Sequence, residues 1–151
     1  MRATLATLAL ASLLFQGLPQ SARAALGGTA DSIETDRVSM KALTRPVTTG
    51  ALRKQELQLP SGTVVTEYLG SNGLVYAVTW HGRSLPNLQQ ILGNYFADYK
   101  TAARQPVVRR RLVRVNSPDL VIESSGRTRA FTGRAWVPAM LPSGVTPADL
   151  Q

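Results

Sequence analysis

The chain has 151 residues, of which 17 are Lys or Arg and 9 are Asp or Glu, so it carries a formal net charge of +8. It contains no cysteine and a single histidine. These counts exclude a disulfide framework and a zinc site built from Cys and His ligands. The length fits one domain, and the basic charge favours anionic polymers as partners without specifying one.

The first 24 residues have the composition of a secretory signal peptide. Met1 and Arg2 give a positive start, residues 3–18 are largely apolar, and Ala-Arg-Ala at 22–24 is a small-x-small cleavage site. The apolar stretch is shorter than the roughly 20 residues of a membrane span. We therefore expect export, cleavage after residue 24, and a soluble product in the periplasm or secreted from the cell, without a transmembrane segment in the mature chain.

Residues 25–50 are poor in aromatic side chains and are predicted to form an N-terminal arm that can include a short helix. Asp31, Glu34 and Asp36 lack the glycine-punctuated spacing of a calcium loop. They are instead typical of acids near a helix N-terminus, where the helix dipole favours negative charge. The composition of residues 45–50 predicts a linker.

The segments 63–69 and 74–80 are rich in β-branched and aromatic residues, and Asn72-Gly73 between them is a strong hairpin signal. A two-residue turn at this Asn-Gly pair sets the register. The expected partners are Val65 with Trp80, Glu67 with Val78, and Leu69 with Tyr76. This register gathers the large side chains on one face, which we predict to be the core.

A helix is predicted after the hairpin, with Ser84 as its N-cap and Pro86 in its first turn. Large apolar side chains then recur at helical spacing. They are Leu88, Ile91, Leu92, Tyr95, Phe96 and Tyr99. Four further strands are predicted, over residues 52–59, 107–116, 120–124 and 128–137.

Strands before and after one helix, with hairpin connections, predict an α+β fold. We expect an antiparallel sheet of five or six strands with the central amphipathic helix packed on one face. The domain is predicted to span residues 51–137, followed by a C-terminal tail over 138–151 that is rich in Pro and Gly.

Candidate catalytic residues are few. His81 can act as a general base or be a polar turn residue, and no serine lies in a G-x-S-x-G motif. Glu67 and Asp119 are the carboxylates that a hydrolase could use beside it, although Glu67 can equally lie near a sheet edge or pair with an Arg. No metal site and no cofactor are predicted. These residues therefore define only a weak catalytic set.

The sharpest charge feature is a group of arginines on the predicted strand 107–116, namely Arg109, Arg110, Arg111 and Arg114. Interleaved aromatic residues for base stacking are missing, so nucleic acid is not a predicted partner. The group can bind an anionic component of the cell envelope, or it can protect an edge strand against aggregation. Four contacts of the phosphate-binding kind would lose about 100-fold in affinity between about 50 and 200 mM salt.

Several motifs together resemble a bacterial family described as domain of unknown function 2844. They are LPSGTVVTEY at 59–68, VTWHG at 78–82, LPNL at 85–88, GNYF at 93–96, PDLVIES at 118–124, RAF at 129–131 and LPSGV at 141–145. The resemblance extends over nearly the whole chain after residue 24. It implies an exported protein of Gram-negative bacteria with no assigned activity, and it provides no catalytic residues.

These observations favour a small exported, non-catalytic binding or interaction module. Its partner would be an anionic envelope component or another envelope protein. The alternatives are a hydrolase-like enzyme acting on cell-envelope material through Glu67, His81 or Asp119, and an electrostatic binder of anionic envelope polymers through the arginine group.

Overall fold

The computed structural model describes residues 26–49, 52–104 and 112–151. The predicted signal peptide lies outside these ranges, and so do Arg109, Arg110 and Arg111. None of the helices within the described ranges is long and apolar enough to span a membrane.

The described residues form one antiparallel sheet of seven strands in the order β1-β2-β3-β4-β7-β6-β5. Hairpins join neighbouring strands within β1–β4 and within β5–β7, and the helical segment after β4 carries the chain across to the far edge. The strands are β1 (Leu43–Thr49), β2 (Leu52–Gln58), β3 (Val64–Leu69), β4 (Val75–Gly82), β5 (Leu112–Asn116), β6 (Val121–Arg127) and β7 (Ala130–Trp136). The predicted α+β class is confirmed.

The sheet is larger than the five or six strands that we predicted, because β1 occupies the stretch predicted to be a linker. Its Pro46 misled the prediction, since proline cannot donate a backbone hydrogen bond. Proline is tolerated here because β1 is an edge strand that pairs only with β2, through Leu43 opposite Gln58 to Thr49 opposite Leu52.

Three helices lie on one side of the sheet. They are α1 (Ala30–Ser39), α2 (Leu88–Leu92) and α3 (Phe96–Ala103), with a 3₁₀ turn, Gly93–Tyr95, between the last two. The predicted central helix is therefore interrupted, at a glycine with φ of 53°. Its N-cap is Asn87, whose Oδ1 accepts a hydrogen bond from the backbone N–H of Gln90 at 3.2 Å. The predicted cap, Ser84, instead bonds with Thr63.

The hairpin between β3 and β4 has the predicted register far from the turn, with Val65 opposite Trp80 and Glu67 opposite Val78. Near the turn the register shifts, so that Leu69 pairs with Val75 rather than with Tyr76. The loop is longer than the predicted two-residue turn, because the N–H of Gly73 bonds back to the carbonyl of Gly70.

This β-bulge moves Tyr76 to the opposite side of the sheet from the predicted core face. There it lies with Tyr68 at a ring-centroid distance of 6.1 Å. An extra residue in one strand moves the side chains beyond it to the opposite face of the sheet. A simple alternation rule does not predict this change.

The face beneath the helices, called the helix-covered face below, contains the main core. Its buried side chains come from both layers and are Leu57, Val65, Val78, Trp80, Ile122 and Ala135 from strands, with Ile33, Leu88, Ile91 and Leu92 from helices. Trp80 is 1% exposed. Its indole lies against Gly133 on β7, where an added Cβ would come within 2.3 Å of the ring. The tryptophan therefore requires a glycine as its neighbour.

The opposite face, called the open face below, is covered at one end by the C-terminal segment. Leu150 is buried there in a second apolar cluster with Tyr68, Tyr76 and Trp136. The hydroxyl of Tyr68 donates to the backbone carbonyl of Gln151 at 2.5 Å and accepts from its N–H at 3.0 Å. The large aromatic side chains are thus divided between the two faces, because Trp80 lies on the helix-covered face.

Candidate functional site

A groove of about 500 Å³ occupies the uncovered part of the open face. Its floor consists of two rows of side chains that cross the four strands β4, β7, β6 and β5. The first row is Thr79, Arg134, Glu123 and Arg114, and the second is His81, Thr132, Ser125 and Leu112. Leu150 and Gln151 of the C-terminal segment form one wall.

Local sequence explains this polar floor. The strands alternate, so that one face of each strand receives small or apolar residues and the other receives polar ones. In β7, Gly133 and Ala135 point toward the helices while Thr132 and Arg134 point into the groove. In β6 the same parity puts Glu123 on the open face.

Arg134 is the most firmly held side chain in the groove. Its Nε donates to Oε2 of Glu123 at 2.9 Å, its Nη2 forms an ion pair with the same oxygen at 2.7 Å, and its Nη1 donates to the carbonyl of Pro147 at 2.6 Å. The guanidinium also lies 5.3 Å from the ring of Trp136. This residue connects the C-terminal segment to the sheet through bonds that Nε and Nη1 donate within the protein.

Arg114 is the cation that faces solvent. Its side chain is 62% exposed, and its Nη2 is 3.6 Å from Oε1 of Glu123. An exposed pair at this separation contributes little to stability. Arg114 can therefore turn toward a ligand at low cost.

The groove carries more positive than negative charge. Two guanidinium groups, from Arg114 and Arg134, face the single carboxylate of Glu123, and His81 adds an exposed imidazole at the other end. The hydroxyl of Thr79 is buried and has no hydrogen-bond partner within the described part of the chain. Such a lining suits a polar ligand with an anionic group.

The three predicted catalytic candidates lie in three different places. His81 is on the open face at the groove. Glu67 is buried on the helix-covered face, because its partner Val78 has the opposite parity to His81 in β4. Asp119 is exposed in the turn between β5 and β6, beside a smaller hollow that also includes Asp98. The structure does not bring these candidates together.

Of the predicted arginine group, only Arg114 can be placed, and it lies on the open face. Arg109, Arg110 and Arg111 directly precede Leu112, which lines the groove.

A second polar feature lies beneath α1, where two carboxyl groups meet in the interior. Asp36 and Glu67 are each 0% exposed. Burial raises the pKa of Glu67 well above its ordinary value, and the neighbouring Asp36 raises it further. Burial also raises the pKa of Asp36 to about 6, although the hydrogen bond from Gln90 and the neighbouring Glu67 act in the opposite direction. These two residues are called the acid pair below.

The acid pair has few partners. The side-chain amide of Gln90 donates to Oδ1 of Asp36. Within the described residues, Oδ2 of Asp36 and both carboxyl oxygens of Glu67 have no hydrogen-bond partner. No group of three or more acidic or histidine side chains that could hold a metal ion occurs in this part of the chain.

Sequence reasoning missed Arg134, Glu123 and Thr132 as groove residues, and it missed Asp36 as a buried acid. The alternation of β6 and β7 was sufficient to place the first three on one face. The alternation did not show that the face opposite the predicted core would form a groove. Asp36 was assigned, with Asp31 and Glu34, to acids near a helix N-terminus, and only the other two are exposed.

A comparison with protein families matches residues 22–150 to the family described as "Protein of unknown function (DUF2844)". The chain belongs to this family. The resemblance noted in the sequence is thereby confirmed over nearly all of the chain. Comparisons with curated proteins and with solved structures give no match.

Proposed function

We propose that this protein is an exported, non-catalytic binding module that holds an anionic component of the cell envelope in the groove of the open face. The observation that carries the proposal is the groove itself. It combines a volume of about 500 Å³ with a lining of hydroxyl, imidazole and guanidinium groups. A few convergent polar groups in a concavity of this size are typical of a ligand site.

The charge of the lining favours a carboxylate or phosphate group over a cation. Arg114 offers a planar, exposed set of donors that suits either anion. Thr132 and His81 are exposed farther along the same groove, on β7 and β4, and can bond to hydroxyl groups of a sugar. An anionic polysaccharide or a lipid headgroup therefore matches the groove.

The hydrolase alternative has weaker support. His81 is the one predicted catalytic residue in the groove, and neither Glu67 nor Asp119 lines it. A general base must lie within hydrogen-bond reach of the group it activates. His81→Ala should therefore leave any hydrolysis of envelope material unchanged, and loss of a measured activity in this variant would favour the enzyme.

Thermal unfolding of the purified protein tests the proposal, with lipopolysaccharide and a soluble peptidoglycan fragment as probes. A ligand present at about 100 times its dissociation constant adds about 2.7 kcal/mol to the free energy of unfolding. We expect one probe to raise the midpoint and Arg114→Gln to reduce that shift.

Arg45→Gln is the matched control, because Arg45 is an exposed cation on the open face that lies outside the groove. The same reduction in both variants would indicate attraction to the whole surface. No shift with either probe, at low or high salt, would contradict the proposal.

A further inference from the structure

The helix α1 has an unusual inner face, and this is the observation from which the inference begins. Only three of its ten residues are buried, namely Ser32, Ile33 and Asp36. A surface helix normally presents an apolar stripe to the core. Here Ile33 is the single large apolar anchor, and a carboxyl group occupies the next turn of the same face.

A second carboxyl group, from the sheet, lies next to that of Asp36. Glu67 reaches up from β3, and its cross-strand neighbours on the helix-covered face are Gln55 of β2 and Val78 of β4. Neither neighbour carries a charge that could neutralise it. From α2, Gln90 contributes one amide donor, to Asp36.

Among residues 26–49, 52–104 and 112–151, no other charged group reaches the acid pair directly. Arg53 of β2 is a diagonal neighbour of Glu67 on the adjacent strand, but its side chain is exposed. On α1 itself, Arg37 is engaged with Glu34 at 2.6 Å on the outer surface. The titratable groups that face each other across the α1 interface are thus Asp36 and Glu67.

Two ionised carboxylates offer only hydrogen-bond acceptors. Three of their four oxygens have no partner within the described residues, and both side chains are fully buried. A proton on one carboxyl turns it into a donor to the other and removes one of the two buried charges. The contact between α1 and the sheet is therefore favourable only while the pair retains a proton.

We propose that one proton shared by Asp36 and Glu67 holds α1 against the sheet, so that loss of this proton loosens the helix. The raised pKa values of both carboxyls agree with this arrangement, because the folded state favours their protonated forms. At acid pH the helix is docked. As the pH rises and the last proton leaves, two like charges face each other in the interior and α1 separates from the sheet.

The ends of α1 limit this motion to the helix. Before it, Gly27 and Gly28 exchange backbone hydrogen bonds of 2.8 Å with Val75, and the N–H of Ala30 bonds to Gly73 at 3.0 Å. After it, β1 begins at Leu43 and pairs along its length with β2. Loosening α1 therefore exposes Ile33 and the sheet face beneath it without dismantling the sheet.

Hydrogen exchange of the full chain tests the proposal, with amide protection followed from about pH 5 to about pH 9 after correction for the intrinsic exchange rate. In the wild type, we expect protection within α1 to fall by about tenfold per pH unit once the shared proton is lost, since one proton is linked to docking. Protection within α3 should not follow, because that helix has no buried carboxyl.

Glu67→Gln supplies a permanent donor to Asp36 and should make α1 protection independent of pH. Asp36→Asn is the second variant, for use if Glu67→Gln does not fold. It should also reduce the pH dependence of α1 protection. Glu34→Gln is the control on the same helix and should behave like the wild type.

Two results would overturn the proposal. The first is that the amide protection of α1 in the wild type does not change with pH, or that α3 and the α1 of Glu67→Gln show the same change. The second is a restoration of α1 protection at high pH by millimolar calcium that Glu67→Gln abolishes. That result would assign the acid pair to a cation rather than to a proton.

Discussion

Glu67 and Glu123 are the same type of residue on two faces of one sheet, and their surroundings differ completely. Glu123 has a side chain that is 31% exposed and contacts Arg134 at 2.7 Å. Glu67 is 0% exposed and has Asp36 as its titratable neighbour. Glu123 thus lies beside water and a guanidinium, whereas burial and a second acid disfavour the ionised form of Glu67.

This difference indicates that the two faces of the sheet have different roles. On the open face, the charged side chains are accessible to a ligand. On the helix-covered face, the alternate residues of the same strands form the core. The acid pair is the exception within that core. We infer that stability resides on the helix-covered face and ligand recognition on the open face, and four substitutions test that division.

The largest effect is expected for Trp80→Ala. The indole is almost fully buried against Gly133, so that its removal leaves a cavity and should cost about 3 to 5 kcal/mol of unfolding free energy. Phe96 is only half-buried, so Phe96→Ala should cost less. Thr132→Ala, on the exposed side of the adjacent strand, should change stability by less than about 0.5 kcal/mol. Equal effects in urea denaturation at Trp80 and Thr132 would show that the faces are not divided in this way.

The next effect concerns the acid pair and depends on pH. An acid whose pKa is raised by folding contributes stability below its unfolded pKa, and that contribution is lost as the pH rises through the folded pKa. For Asp36 this window runs from 3.8 to about 6. At about 1.4 kcal/mol per pKa unit, Asp36→Asn should be about 2 to 3 kcal/mol more stable than the wild type near pH 8 and similar near pH 4.

Denaturant midpoints across this pH range measure the difference. Glu34→Gln is the control, since Glu34 is exposed and its pKa is lowered by Arg37. If the denaturant midpoints of Asp36→Asn and the wild type changed with pH in parallel, the ionised acid pair would not destabilise the fold.

A smaller effect is expected where the C-terminal segment meets the open face. Tyr68→Phe removes the hydroxyl that bonds twice to the backbone of Gln151, and should cost about 1 kcal/mol. Tyr76→Phe is the matched control. The hydroxyl of Tyr76 is buried without a partner among the described residues, so its removal should cost nothing or stabilise slightly. Proteolysis of the C-terminal segment, measured beside thermal unfolding, distinguishes the two variants.

The smallest effect on stability is expected for Arg114→Gln, at less than about 0.5 kcal/mol, because its ion pair is long and exposed. The same variant should weaken binding of the anionic probe measurably. A variant that unfolds early but binds normally would place Arg114 in the structural framework and remove it from the ligand site.

Local patterns in the sequence were sufficient to predict much of the fold. The alternation in β2, β3, β4, β6 and β7 fixed which residues can share a face, and the helical spacing after Pro86 located the segment that crosses the sheet. The pairing of Val65 with Trp80 followed from the same pattern. Each of these features depends on side-chain types within a few residues, which is the range that periodicity can report.

The edge strand β1 and the bulge at Tyr76 could not be found in this way. β1 contains Pro46 and owes its conformation to the neighbouring strand β2. The bulge depends on a single extra residue near the turn, and it decides on which side Tyr76 lies. Both are outcomes of pairing between segments rather than of local propensity.

The sequence by itself determined the composition of the two faces, the hairpin and the absence of disulfide bonds. Only the tertiary structure decided which polar residues meet water and which meet each other. Glu67 was predicted to lie on the core face. Two strands, β1 and β2, separate it from Asp36 in the chain, and the two carboxyl groups meet only when α1 packs on the sheet. A pKa depends on the whole surroundings of a group, so the acid pair and the groove could be recognised only after the chain was folded.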